Sequence, residues 1–219
     1  MAEGRLVIGT KMYSSWSLRG WLAVQLARLE VEEVVIPLAG GSTRAIQDAT
    51  PAGLVPYLEH RGARVWESLS ILEYCAEIEP RLWPSDPVQR AAARSMAAEM
   101  HAGFRALRTA MPMSILNRFP GRNRTPEVLA DIARIEAIWR EALLGSGGPF
   151  LFGSRFGAAD AMFAPVVFRF LTWEPELQAM SRDYVAAMRA HPLMQRWHDE
   201  AAAEPAEWRL AKYEQVPGA

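Results

Sequence analysis

The 219 residues suffice for one large domain or two small ones, and 50% hydrophobic with 22% charged residues is the balance of a globular chain that buries a core. A formal net charge of −1 leaves no whole-chain footprint for nucleic acid. The single cysteine, Cys75, rules out an internal disulfide, and no CxxC, HExxH or zinc spacing is present, so no metal is expected. Met1-Ala2-Glu3-Gly4-Arg5 lacks the apolar run of a signal peptide, and no stretch approaches the roughly 18 uninterrupted apolar residues of a membrane span; a soluble cytoplasmic protein with no membrane partner is expected.

Leu6-Val7-Ile8-Gly9 reads as a short buried strand, followed by a polar loop from Thr10 to Ser15. From Ser17 the pattern turns helical, with Leu18, Trp21, Leu22, Val24, Leu26 and Leu29 on a broad apolar face. Glu33 to Leu38 is a second strand, and strand–helix–strand at this length predicts a parallel, right-handed unit. Gly40-Gly41-Ser42 is read as a loop, and Thr43 to Ala49 as one or two helical turns. Val55-Pro56-Tyr57-Leu58 reads as a strand that Pro56 opens at a sheet edge, where no ladder donor is needed. His60-Arg61-Gly62-Ala63 is a hairpin turn leading to the strand Arg64-Val65-Trp66. A helix from about Ser68 places Leu69, Leu72 and Cys75 or Ala76 on one face, with Cys75 buried and inert.

Arg81 to Pro87 holds two prolines within four residues and marks a boundary, beyond which strand signals stop. The spacing predicts a helix over 88–116 that Pro112 kinks or ends early, a solvated loop over 118–124, and a helix over 125–144. Three further helices are predicted at about 158–172, 181–190 and 193–203. At the first of these, Asp160 reaches back to the backbone N–H of Gly157 as half of a capping box, a folding role whose loss costs about 1–2 kcal/mol. The expected architecture is an α/β domain over 1–83 followed by an all-α domain over 84–219.

The free N–H groups of a helix start at Glu67-Ser68 attract carboxylates, and a residue just before a strand-opening proline can offer its backbone to an extended peptide. Side by side these features point to a socket for a small acidic peptide, although Glu67-Ser68 alone also reads as an ordinary helix start. Pro51 to Leu58 followed by Glu67-Ser68-Leu69-Ser70-Ile71 resembles the glutathione-binding half of cytosolic glutathione transferases. Phe150-Leu151-Phe152-Gly153 and Phe156 to Asp160 resemble the buried helix start of that family's second half. The resemblance implies a thioredoxin-like domain followed by a helical domain that forms a hydrophobic-substrate site, with Met111 to Leu116 facing the cleft. It also implies glutathione as co-substrate, a small hydrophobic electrophile as partner, and a homodimer. Val55 would bond glutathione's cysteine moiety through its backbone, held by Pro56 across a bond that can be cis. Glu67 and Ser68 would hold the γ-glutamyl end, and Arg44 or Gln47 the glycine end.

The chemistry requires a hydroxyl just after the first strand. A thiol with a pKa of about 8.5 is mostly protonated at neutral pH, and the thiolate is the nucleophile. A hydrogen bond to the anion, worth roughly 1.5–3 kcal/mol, lowers that pKa by about one to two units. Tyr13-Ser14-Ser15-Trp16-Ser17-Leu18-Arg19 is rich in hydroxyls and resembles the Ser-Ser-Cys-Ser-Trp-Arg segment of zeta-class transferases, which include the maleylacetoacetate isomerases. Ser15 is the first candidate for thiol activation, Ser14 the second and Tyr13 the third, while serines before a helix also read as plain caps. Trp16 stands where that segment has cysteine, and its indole would wall the electrophile pocket.

Three functions follow from the resemblance. The leading one is conjugation of glutathione to a small hydrophobic electrophile. The second is glutathione-dependent cis–trans isomerisation of a maleyl-type diacid, which calls for cations in the cleft, with Arg19 and Arg118 as candidates. The third is a binding or regulatory protein that keeps the scaffold without the chemistry.

Overall fold

The computed structural model describes residues 2–39 and 43–215, so the loop read at Gly40-Gly41-Ser42 lies outside the described residues. The first half runs β1 (Gly4–Gly9), α1 (Ser15–Leu26), β2 (Glu32–Ile36), α2 (Arg44–Ala49), β3 (Tyr57–His60), β4 (Ala63–Trp66) and α3 (Ser68–Ile78). Its sheet has the order β2-β1-β3-β4. β1 and β2 are parallel, with Val7 opposite Val34, and the β1/β3 and β3/β4 pairs are antiparallel, with Leu58 opposite both Leu6 and Val65. β1 is an inner strand, which is why Leu6-Val7-Ile8 is a continuous apolar run rather than an alternating one. On edge strand β4 the alternation returns, with Arg64 and Trp66 exposed.

Pro56 was expected to open an edge strand, and the structure corrects this. β3 begins one residue later, at Tyr57, and lies inside the sheet between β1 and β4. The proline stays outside the ladder, so its missing N–H leaves no gap there. The Val55–Pro56 peptide is cis. Gly20 on α1 lets that helix lie directly against it, since a Cβ on Gly20 would come within 2.8 Å of the Pro56 ring.

The second half is helical: α4 (Pro87–Ala102), α5 (Arg105–Ala110), α6 (Pro126–Ser146), α7 (Ala158–Trp173), α8 (Ala179–Ala190), α9 (Pro192–Ala202) and a short α10 (Ala211–Glu214). The helix predicted over 88–116 is broken. α4 stops at Ala102, Gly103 is extended and buried Phe104 takes the left-handed conformation at φ 59°. Arg108 closes the break by donating to the carbonyls of Met100, His101 and Gly103 at the end of α4. α5 then ends just before Pro112, as a residue preceding proline favours. Residues 111–119 carry no helix but are pinned to α7. Trp173 Nε1 donates to the Pro112 carbonyl at 2.9 Å, and Thr172 Oγ1 to that of Ser114 at 2.9 Å.

α7 is buried almost all round and forms the centre of the helical half. Asp160 in its first turn is 2% exposed and accepts from Gly157 N at 2.9 Å, Leu151 N at 3.1 Å and the Tyr184 hydroxyl at 2.9 Å. It therefore ties three segments together, two more than the half capping box expected from sequence. Cys75 lies fully buried on α3. No helix among the described residues is long and apolar enough to cross a membrane.

Candidate functional site

The loop from β1 to α1 is held mostly by residues from the far end of the chain. Glu204, just past α9, accepts from the backbone N–H groups of Lys11 and Met12, and Trp197 Nε1 donates to the Lys11 carbonyl at 3.2 Å. The buried Lys11 ammonium pairs with Glu33 and Glu200 and lies 5.5 and 5.2 Å from the Trp21 and Trp197 ring centroids. Glu200 is thus part of this clamp.

The three hydroxyls at the start of α1 differ in what they do. Ser14 is the N-cap: its Oγ accepts from Ser17 N at 3.3 Å and donates to Ser17 Oγ at 2.7 Å, while Ser17 Oγ accepts from Gly9 N at 2.9 Å. Tyr13 donates to the Glu214 carboxylate and accepts from Leu210 N at 3.2 Å; burial and Glu214 together push its phenol up to about 12. Ser15, the first residue of α1, accepts from Arg169 Nη2 at 3.4 Å and donates to no acceptor among the described residues. Its proton is the uncommitted one.

All three line a cleft of about 450 Å³ between the two halves. Its walls include Leu38, Val55, Met113 and Tyr213, together with the cations Arg108, Arg169 and Lys212. Arg169 lies on the buried face of α7, 5% exposed; burial and then Arg108 hold its guanidinium down at about 9, still well above neutrality. Arg108 is lowered chiefly by burial. Among the described residues no carboxylate forms an ion pair with either arginine. Arg108 is only half-buried and feels the charge of Asp131, but the fully enclosed Arg169 guanidinium lacks an ion-pair partner among the described residues, which is costly unless an anion joins it. The expected cations are placed elsewhere. Arg19 is buried, bonds the Met162 carbonyl at 2.9 Å and sits 4.7 Å from the Trp16 ring, whereas exposed Arg118 pairs with Glu174 outside the cleft.

A smaller hollow of about 270 Å³ adjoins the cleft, bordered by Trp16, Ala52, Leu54, Val55, Pro56, Trp66 and Glu67. Trp16, Leu54 and Val55 line both spaces. Glu67 caps α3 at φ 67°, a left-handed conformation uncommon for a side-chain-bearing residue, and its carboxylate is 3.8 Å from His101 Nε2. Ser68, next in the chain, has a buried Oγ without a partner. An orphaned hydroxyl at a helix start, beside a carboxylate and an open backbone edge, fits the amino-acid end of a peptide such as glutathione. Arg44 is not brought here: its side chain is 86% exposed and pairs with Asp48 one turn on, and Gln47 is likewise exposed.

Arg108, Arg169 and the segment around Tyr213 were missed in the sequence. Arg169 left a signal, a lone charge inside Val166-Val167-Phe168-Arg169-Phe170-Leu171. Arg108 left none. Among the described residues no group of three or more His, Cys, Asp or Glu gathers as a metal site.

Comparison with known proteins places these features. The family model for the glutathione S-transferase N-terminal domain matches residues 13–78, and that for the C-terminal domain matches residues 90–200. Maleylacetoacetate isomerase of Rattus norvegicus is 30% identical over 173 residues, covering 76% of this chain and 79% of the relative. The Pseudomonas aeruginosa protein of the same name is 29% identical over 201 residues, covering 88% and 89%. Among solved structures, a Burkholderia glutathione transferase homologue with bound glutathione superposes with a TM-score of 0.70 at 19% identity, covering 92% of this chain and 99% of that one. Maleylacetoacetate isomerase from Anaeromyxobacter dehalogenans gives 0.66 at 24% identity, covering 94% and 96%. The chain is a member of the glutathione S-transferase family.

Proposed function

We propose that the protein is a glutathione-dependent isomerase acting on a cis-unsaturated dicarboxylate of the maleyl type. The observation that carries the reading is the pair of guanidiniums in the cleft beside Ser15: Arg169, buried and without an ion-pair partner among the described residues, and half-buried Arg108 next to it. Relatives in several organisms carry the name maleylacetoacetate isomerase. In this reading Val55, Glu67 and Ser68 hold glutathione, with Pro56 fixing the turn, and the Ser15 hydroxyl donates to its sulfur. Bound glutathione supplies a thiolate nucleophile that adds to the double bond and is expelled again after rotation. Ser15 and the N-terminus of α1 stabilise the negative sulfur. Arg108 and Arg169 orient the substrate carboxylates and offset charge that develops next to them. Ser14 keeps the helix start rigid rather than touching sulfur.

A second reading, conjugation of glutathione to a small apolar electrophile, is supported by Leu38, Ile46, Pro112 and Met113 on the cleft wall. One experiment separates the two. The protein is incubated with maleylacetoacetate and reduced glutathione while trans product and free thiol are both followed. Isomerisation gives many equivalents of product at constant thiol. Loss of one thiol per product, or conversion of chlorodinitrobenzene without conversion of the diacid, overturns the isomerase reading.

A further inference from the structure

Between Pro205 and Gln215 the polypeptide borders the cleft through Lys212 and Tyr213, and Leu210 and Tyr213 pack against the core. None of its residues is buried, and its only regular pieces are a turn at Ala206–Trp208 and the four residues of α10. Such thinly packed segments open locally at a small fraction of the global unfolding free energy. Three of its contacts meet at one side chain, Tyr13. The Tyr13 hydroxyl accepts from Leu210 N at 3.2 Å and donates to Glu214, and the Tyr13 ring lies 5.1 Å from that of Tyr213. Within the segment Arg209 pairs with Glu214 at 3.9 Å, and from outside it Asn117 Nδ2 reaches the Tyr213 carbonyl at 3.5 Å. Between these fixings Lys212 and Tyr213 face the same cleft as Ser15 and Arg169.

We infer that residues 205–215 form a lid latched by the Tyr13 hydroxyl, and that Lys212 on the lid is a specificity residue for an anionic second substrate. Tyr13 is thereby a positioning residue: it holds the lid, and its proton is spent on Glu214 rather than on sulfur. A closed lid adds a third cation to Arg108 and Arg169 and covers the reacting atoms from water. The assignment of Lys212 rests on the proposed glutathione-dependent reading, whereas the latch does not.

The test uses the full chain with Tyr13→Phe, Glu214→Gln and Lys212→Met. Hydrogen exchange of the peptide spanning 205–215 reads the latch without any substrate. Tyr13→Phe and Glu214→Gln should accelerate it about tenfold or more, the effect of one or two lost hydrogen bonds, while exchange in α7 stays as in wild type. Calorimetry with fumarate, a stable dicarboxylate, in the presence of glutathione reads specificity: Lys212→Met should weaken fumarate about tenfold and leave glutathione affinity unchanged. Unaltered exchange in Tyr13→Phe overturns the latch. So does a raised pKa of bound glutathione's thiol in that variant, which would make Tyr13 the sulfur donor. Equal fumarate affinity in wild type and Lys212→Met, or no fumarate binding to a wild type that binds glutathione, overturns the role of Lys212. Failure of glutathione itself to bind strikes the underlying reading instead.

Discussion

Replacing Asp160 with alanine removes one acceptor group and strands three donors in the interior. The carboxylate is fully enclosed and accepts from Leu151 N, Gly157 N and the Tyr184 hydroxyl at 2.9–3.1 Å. Burial pushes its pKa up to about 6 despite these bonds. Alanine leaves those three donors unsatisfied in the interior, at about 1 kcal/mol or more each after relaxation. The loss for Asp160→Ala at neutral pH is therefore about 3 kcal/mol, which for a chain of this size lowers the melting temperature by roughly 6–12 °C. The sign with pH is fixed by the same shift. The folded carboxyl holds its proton up to about 6, above the 3.8 of the unfolded group, so the folded state binds more protons in that window. Wild-type stability from this group therefore falls as pH rises from about 4 to 6 and is flat above it. Differential scanning calorimetry of wild type, Asp160→Ala and Asp160→Asn at pH 5 and pH 7 measures both effects. A melting temperature for Asp160→Ala within 2 °C of wild type at neutral pH, or a wild type that gains nothing over Asp160→Asn on acidification, would refute the reasoning.

Arg169→Gln should lower kcat/KM on a maleyl-type dicarboxylate about 10- to 100-fold, the loss of a charged hydrogen bond, while the KM for glutathione moves less than threefold. Steady-state kinetics with each substrate varied in turn decides this, and an unchanged dicarboxylate KM and kcat would remove Arg169 from the site. Cys75 lies fully buried, with its thiol pushed up to about 12 by desolvation, so it should resist a water-soluble thiol reagent in the native protein and react fully in denaturant. Rapid labelling of the native chain, followed by mass spectrometry, contradicts that placement.

What the sequence made legible was local. The strand Leu6-Val7-Ile8, the turn at Val55-Pro56 and the helix starts at Ser68, Pro126 and Ala158 each announce themselves within a few residues. They do so through apolar runs, prolines and cap residues that act on their immediate neighbours. What stayed hidden depends on distant contacts. Arg169 meets Ser15 across 154 positions, and Tyr13 meets Glu214 across 201. The stop of α4 at Gly103 follows from burying Phe104 and from Arg108 closing over the last carbonyls, neither of which has a periodic signature. Pro56 misled for a related reason. A proline beside a strand signals only that no ladder N–H is available, and both an edge position and a place one residue before an inner strand satisfy it. Among the three hydroxyls, sequence position favoured Ser15 over Ser14 by family spacing alone. The structure adds a physical distinction, because Ser14 and Tyr13 each commit a proton to another partner.

In the proposed reaction the Ser15 hydroxyl lowers the pKa of a bound thiol. Ultraviolet titration of the thiolate of glutathione bound to wild type, Ser14→Ala and Ser15→Ala measures this directly. The wild type should titrate about one to two units below free thiol, Ser14→Ala close to wild type, and Ser15→Ala close to free glutathione. A wild-type thiol that titrates like free glutathione, or a Ser15→Ala protein that keeps the lowered value, would contradict the account at its centre.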